Sequence, residues 1–368
     1  MTLTGKPGTL STALVHRLMP VQALKKPSMT RQTRRAAIAL LAAVFTTAAR
    51  PWGADGHHTV GALADRLIAG SHAEAQVRAL LRGLTLEQAA VWADCAKGVD
   101  PSRNFTYTTT GKYAECAIHE TPEGEAEMID FVQRNDTNCR RARDDPSCHR
   151  QYHYTDESIQ RERYRPGDTG THEFDVVAAI TATIRVLQGR PAPAPFDIRD
   201  KREALLLLTH YAGDIMQPLH VGTVYLDARG QVVDPRMQPF DAAMDTKGGS
   251  KIVTIRVATN HRSETLHATW DDIPQALHSN RIDAAWLALA RAVPETAGPM
   301  GQWSLQWAGT TLTQARSALG KLAFGPQDAG QWTVPLTGRY DDAMEAVKQR
   351  QLTLGGARLA QVLRALWP

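Results

Sequence analysis

The sequence predicts a mainly α-helical protein: a single multi-helix domain with a short β element and a disulfide-stapled excursion. Three observations predict it. Six segments carry apolar residues at the three-to-four-residue spacing of a helix that buries one face. One run alternates as a strand would, Lys251-Ile-Val-Thr-Ile-Arg-Val257. All four cysteines fall in one polar, irregular interval between Cys95 and Tyr152.

Residues 1–51 are expected to be a leader. From Met29 a basic start (Arg31, Arg34, Arg35) runs into an apolar stretch, Ala36 to Val44, and then small residues, Thr46 to Ala49. That is the order of a secretory signal peptide, and Thr33-Arg34-Arg35 has a partial twin-arginine character. The remaining 317 residues (368 − 51) suit one large domain. Helical spacing spans Ala62 to Leu81, Phe174 to Leu187, Glu203 to Ile215, Ala284 to Ala292, Leu305 to Leu322 and Tyr340 to Leu366. The strand-like run follows a Gly248-Gly249 turn. No internal repeat or Pro/Ser linker divides the chain. No apolar run after the leader approaches the roughly 20 residues that span a bilayer, so stable membrane insertion is not expected, and the protein is read as secreted or periplasmic.

The leader distorts the charge. It holds eight Lys and Arg and no Asp or Glu, so the remainder carries 42 − 8 = 34 basic against 38 acidic residues, a net of −4. Net charge therefore gives no case for a nucleic-acid surface, and a bound polyanion would need local positive charge, for which metal ions are the obvious source. Cys95, Cys116, Cys139 and Cys148 lack paired C-x-x-C spacing, which argues against a zinc–thiolate site. An even count in an exported chain favours two disulfides. Of the three pairings, Cys95–Cys116 and Cys139–Cys148 are expected because their loops are local.

The chemistry begins in His210-Tyr-Ala-Gly-Asp214-Ile-Met-Gln-Pro-Leu-His220. His210 and Asp214, four residues apart, share one face of a helix. Pro218 should kink or stop that helix ahead of His220. His267-Ala-Thr-Trp-Asp271 repeats the spacing. Either pair alone is equally an ordinary helix ion pair. Together with His220 they offer five ligands, more than the three or four one zinc takes, which points to a metal cluster. Clusters with open positions hydrolyse phosphate esters. Asp94 in Val-Trp-Ala-Asp94, His153 in Tyr-His153-Tyr-Thr-Asp156, and His57 in Trp52-Gly-Ala-Asp-Gly-His57 extend the set.

With these fragments in place, the chain resembles the zinc-dependent single-strand-specific nucleases, a family that includes mung-bean-type and fungal 3′-nucleotidase/nucleases and exported bacterial relatives. Zinc phospholipases C share the same fold and three-zinc centre. The resemblance runs from Trp52 to Gly356-Ala-Arg-Leu-Ala through the motifs WG-x-x-GH, WAD, HY-x-D, THY-x-GD-x-x-QPLH, GG and LH-x-x-WD. It implies three Zn2+ ions. One would take Asp94, His153, His210 and Asp214, and a second His220, His267 and Asp271. The third would take His57, Asp214 as a shared carboxylate, and the amino nitrogen and carbonyl oxygen of Trp52. That chelate requires a mature chain beginning at Trp52, so the Ala49-Arg50-Pro51 junction must be trimmed.

The resemblance also implies the chemistry. Zinc lowers the pKa of bound water from about 15.7 toward 7, supplying hydroxide for in-line attack on phosphorus without a protein nucleophile. Asp94 and Asp214 are assigned to catalysis as metal-holding carboxylates. Lys97 joins them, at a position where the family usually has a phosphate-contacting arginine; a lysine keeps the charge and loses the bidentate fork. Tyr154 would stack a base, worth roughly 1–3 kcal/mol, and Asp156 would accept from a base amino group. Ser250 replaces the asparagine of the family's Gly-Gly-Asn. Because stacking needs an unpaired base, the implied substrates are single-stranded DNA and RNA, cleaved to 5′-nucleotides, with 3′-nucleotidase activity. The alternatives are a phospholipase C acting on phosphatidylcholine and a non-catalytic zinc- or nucleic-acid-binding protein.

Overall fold

A computed structural model describes residues 52–140, 146–237, 241–257 and 261–368. The leader at 1–51, with its signal-peptide pattern and cleavage junction, lies outside the described residues. The chain opens with α1 (Ala54–Ile68) and α2 (His72–Leu80), so the pattern over 62–81 is divided between two helices. The break falls where the Ser71 side chain accepts from the Glu74 amide and starts a new helix. Two short helices follow, α3 (Leu86–Ala89) and α4 (Trp92–Ala96), then a two-residue hairpin of β1 (Val99–Asp100) and β2 (Thr106–Tyr107).

The cysteine-bearing interval is more ordered than its polarity suggests. It contains α5 (Pro122–Arg134), which Thr121 caps by accepting from the Gly124 amide, with Pro122 in the first turn. Its later part holds α6 (Cys148–Gln151). Both expected disulfides are present: Cys95–Cys116 ties α4 to the segment before α5, and Cys139–Cys148 ties the segment after α5 to α6.

After β3 (Glu157–Ser158) come α7 (Val176–Leu187), capped by Asp175, and α8 (Lys201–Asp214), capped by Asp200. α8 is the central element, contacting α1, α4 and α7. Every residue from Glu203 to Asp214 is buried, so this helix has no solvent-facing stripe. As expected, it stops ahead of Pro218, and Pro218–His220 forms a single 3-10 turn. β4 (Gly222–Thr223) then pairs in parallel with β3.

A small hairpin, β5 (Tyr225–Leu226) with β6 (Val232–Val233), precedes a three-stranded sheet. In that sheet β7 (Ile252–Arg256) lies between antiparallel β8 (His261–Thr265) and parallel β9 (Trp332–Leu336). β9 is an edge strand, which accommodates Pro335. Only β7 was legible from alternation. α9 (Leu266–Asp271), α10 (Ala284–Arg291), α11 (Trp303–Leu319) and α12 (Gly338–Leu366) complete the chain. α12 packs on α1 and α8, giving a mainly helical body whose main apolar core surrounds α8 and whose second core lies under the sheet. Among the described residues, no helix is long and apolar enough to cross a membrane.

Candidate metal centre

The C-terminal turn of α8 fixes the centre. His210 and Asp214, both fully buried, face the same side of the helix, with His210 Nε2 3.1 Å from Asp214 Oδ2. His153, two residues beyond α6, brings Nδ1 to 2.9 Å from the same oxygen and 3.0 Å from His210 Nε2. Asp94, on α4, places Oδ1 3.8 Å from His153 Nδ1 and 3.6 Å from His210 Nε2. Donors on a tetrahedral zinc, bonded at roughly 2.0–2.1 Å, stand roughly 3.3 Å apart. These four side chains converge at that scale.

Asp214 turns its other oxygen to a different set. Oδ1 lies 3.5 Å from His57 Nε2 and 3.3 Å from His220 Nδ1. The His57 ring, on α1, stacks on His210 with centroids 3.8 Å apart. On the far side, His220 Nε2 is 3.7 Å from Asp271 Oδ1 and His267 Nε2 is 3.4 Å from Asp271 Oδ2. Three groups of potential ligands result: His57 with Asp94 and His210, His153 with His210 and Asp214, and His220 with His267 and Asp271. In the first, His57 clusters with Asp94 and His210 as well as facing Asp214, the partner expected for it.

Neighbouring polar groups orient these ligands. Nδ1 of His210 donates to Ala90 O at 2.6 Å and Nδ1 of His267 to Gly248 O at 2.8 Å, so that in the neutral ring each Nε2 turns its lone pair toward the cluster. His220 Nδ1 donates to His153 O at 3.0 Å. Gln217 Nε2 donates to Asp271 Oδ1 at 2.7 Å while its own carbonyl accepts from the Leu219 amide, so Asp271 is held from behind. Lys348, buried on α12, donates to the carbonyls of Thr269 and Asp272 and fixes the end of α9. Trp52 is pinned by its indole N–H, which donates to Gly213 O at 2.8 Å, and the next amide, Gly53 N–H, donates to Asp271 O at 2.8 Å. The start of the described chain is thereby tied to both ligand-bearing helices.

Two glycines are dictated by this packing. A Cβ on Gly213 would stand 2.7 Å from His57 Nδ1, so a side chain there would expel the imidazole that faces Asp214. Gly248 has φ +54°, and a Cβ on it would stand 2.2 Å from Leu219 O, so the carbonyl that receives His267 depends on glycine.

Buried atoms without hydrogen-bond partners test whether cations fit. Both nitrogens of His57, Asp214 Oδ1, His220 Nε2 and Asp271 Oδ2 are in this state. Leaving such groups unsatisfied costs about 1–3 kcal/mol each, and their concentration among the candidate ligands is what metal coordination would relieve. Protonation agrees. Burial holds His57 near pKa 4 and His153 near 3, and also lowers His267, so all three imidazoles are neutral. Burial opposes ionisation of the two carboxylates, but Lys97 and the surrounding histidines hold Asp94 at about 2, and His210 and His153 hold Asp214 well below the usual range. His210 and His220 differ: burial lowers both, yet Asp214 and Asp94 raise His210 above its ordinary value, and Asp214 and Asp271 raise His220 to about 10.

A cavity of about 230 Å³ opens onto the cluster. Its walls include His153, His220 and His267, and also all four residues expected to handle substrate: Lys97, Tyr154, Asp156 and Ser250. Two of these differ from expectation in detail. The Lys97 ammonium is 2.6 Å from Asp94 Oδ1, so it is engaged with a candidate ligand. Burial and the nearby Asp245 raise the pKa of Asp156 well above its ordinary value, against the opposing pull of Lys247 and His220. Sequence reasoning missed Arg150 and Lys247, which line the same cavity. The signal for Arg150 was its position three residues before His153, obscured by the irregular look of the surrounding interval.

Comparison with known proteins agrees with this geometry. None of the curated proteins matches the chain. The family model for S1/P1 nuclease matches residues 52–367, from the pinned tryptophan almost to the C-terminus. That match covers all the clustered ligands and the cavity beside them, and the chain belongs to the S1/P1 nuclease family.

Proposed function

We propose that the protein is a three-zinc phosphodiesterase that hydrolyses single-stranded DNA and RNA to 5′-nucleotides and also removes 3′-phosphates from nucleotides. Membership of the family supports a nuclease acting on phosphodiester bonds. The observation that carries the finer reading is the convergence of three buried ligand groups on one cavity that Tyr154 also lines. Asp94, His153, His210 and Asp214 would hold one zinc, and His220, His267 and Asp271 a second. His57, the second oxygen of Asp214 and the backbone of Trp52 would hold the third. When bound, the ions supply Lewis-acid activation of water and neutralise phosphate charge. The protein's own groups do the rest. Asp214 links two positions through its two oxygens, Gln217 and Lys348 hold the His267/Asp271 helix, and Tyr154 offers a ring face to an unpaired base.

The choline-phospholipid reading fares worse in this cavity. Lys97, Arg150 and Lys247 line it; they repel a trimethylammonium headgroup and attract a polyanion. We further propose that the protein is exported, since two disulfides suit an oxidising compartment. A side-by-side assay on single-stranded DNA, RNA, a 3′-nucleotide and phosphatidylcholine tests the reading. Turnover of the first three is expected; phosphatidylcholine as the preferred substrate would overturn it.

A further inference from the structure

We infer that Arg150 binds a phosphate group of the strand held in the cavity, supplying the planar fork that Lys97 does not. This rests on the nucleic-acid reading above. The backbone of Arg150 is held in place from several sides. The Cys139–Cys148 disulfide anchors the start of α6, whose Cys148 and His149 amides donate to Asp136 O and Asn135 O at 2.9 and 2.8 Å. At its other end the Gln151 side chain donates to Pro146 O at 2.8 Å. From this platform the guanidinium reaches the cavity wall and donates to the carbonyl of Lys97.

That carbonyl is the one hydrogen-bond partner of the Arg150 side chain among the described residues; Asp94, Asp100 and Asp136 attract the guanidinium, but none of them forms an ion pair with it. A guanidinium carries five N–H donors and always keeps its charge. A half-buried cation with donors remaining and no carboxylate hydrogen-bonded to it can receive an anion from outside. The adjacent Lys97 is in the opposite state, with its ammonium 2.6 Å from Asp94. Of these two neighbouring cations, the arginine is the one left for substrate. Its planar donors match two phosphate oxygens.

The test compares zinc-loaded wild type, Arg150→Gln and Arg150→Lys on a single-stranded oligonucleotide over a range of salt concentrations. Arg150→Gln should lower kcat/KM roughly ten- to hundredfold, with zinc content unchanged. The slope of log kcat/KM against log salt should become shallower by about 0.7, the loss of one phosphate contact to a single strand. Arg150→Lys should restore the slope while staying below wild type in kcat/KM, since it keeps the charge and loses the fork. An Arg150→Gln enzyme with reduced activity but the wild-type slope, or with zinc lost, would overturn the inference and leave Arg150 as a brace for the Lys97 loop. Wild type that cleaves phosphodiesters but ignores single-stranded nucleic acid would sink the functional reading itself, and this inference with it.

Discussion

The last turn of α8 and the disulfide-bonded interval before His153 both supply side chains to one cavity, but they hold them by different means. On α8, His210 and Asp214 sit one turn apart in a helix buried on every face, so their spacing in sequence is their spacing in space. The interval from Cys95 to Tyr152 has only short helices near the site, with α4 ending beside Lys97 and α6 carrying Arg150. Its contributions, Lys97 and Arg150, are placed by two covalent bridges and scattered backbone hydrogen bonds. The ligand side of the site is thus rigid because of the core, and much of the cationic side because of cross-links. Perturbing α8 should destroy chemistry, whereas perturbing the interval should weaken binding.

The largest effect is expected at Asp214. Asp214→Asn removes a charge that faces ligands through both oxygens, so activity should fall at least about a thousandfold and zinc content should drop by more than one ion per chain. Retention of three zincs with near-normal turnover would remove Asp214 from its bridging position. Next comes Gln217→Leu, which frees Asp271 Oδ1 from its 2.7 Å hydrogen bond. Loss of such an outer partner typically weakens metal affinity about 10- to 100-fold. Competition with a chelator reads this directly, and an unchanged affinity would show that Lys348 and α9 suffice to orient Asp271.

The other side of the comparison calls for a milder outcome. Replacing Cys139 and Cys148 with serine opens a loop of sequence separation 9, a loss of about 2–3 kcal/mol of stability by chain entropy. Zinc content should stay the same while KM for single-stranded DNA rises, because α6 and Arg150 lose their anchor. Loss of zinc in that variant would mean that the interval supports the ligands too, and the contrast would collapse. The smallest change is expected from Tyr154→Ala. It should raise KM for single-stranded DNA roughly 5- to 100-fold, the worth of one stacked base, and leave a simple phosphodiester substrate almost untouched. Equal losses on both substrates would make Tyr154 a packing residue.

The same contrast explains what the sequence disclosed. The histidine–aspartate pairs at i, i+4 on α8 and α9 were legible as candidate ligands because helix geometry turns spacing into proximity, and the family motifs carried His57, Asp94 and His153. The disulfide pairing followed from local loops. Arg150 was not legible, since nothing in the spacing of a cross-linked, irregular interval says which side chain turns inward. The upward shift of the Asp156 pKa was equally hidden, because it depends on burial and on Asp245, 89 positions away in the chain. β9 escaped notice because Pro335 interrupts a strand pattern that only an edge position tolerates.

The central claim is that three zincs occupy this cluster and perform the hydrolysis. Its most direct test is titration of the metal-free mature protein with zinc, following metal per chain, single-strand cleavage and proton release together. In the metal-free site His220 is raised to about 10, so it contributes stability below about pH 6.5 that fades as the pH climbs toward 10. Zinc needs that imidazole neutral, so loading at pH 7 should release protons, and occupancy should fall as the pH is lowered. Cleavage should rise to completion only as the third equivalent of zinc binds, with protons released along the way. Full activity at one zinc per chain, or three bound zincs without cleavage of single-stranded nucleic acid, would contradict the claim.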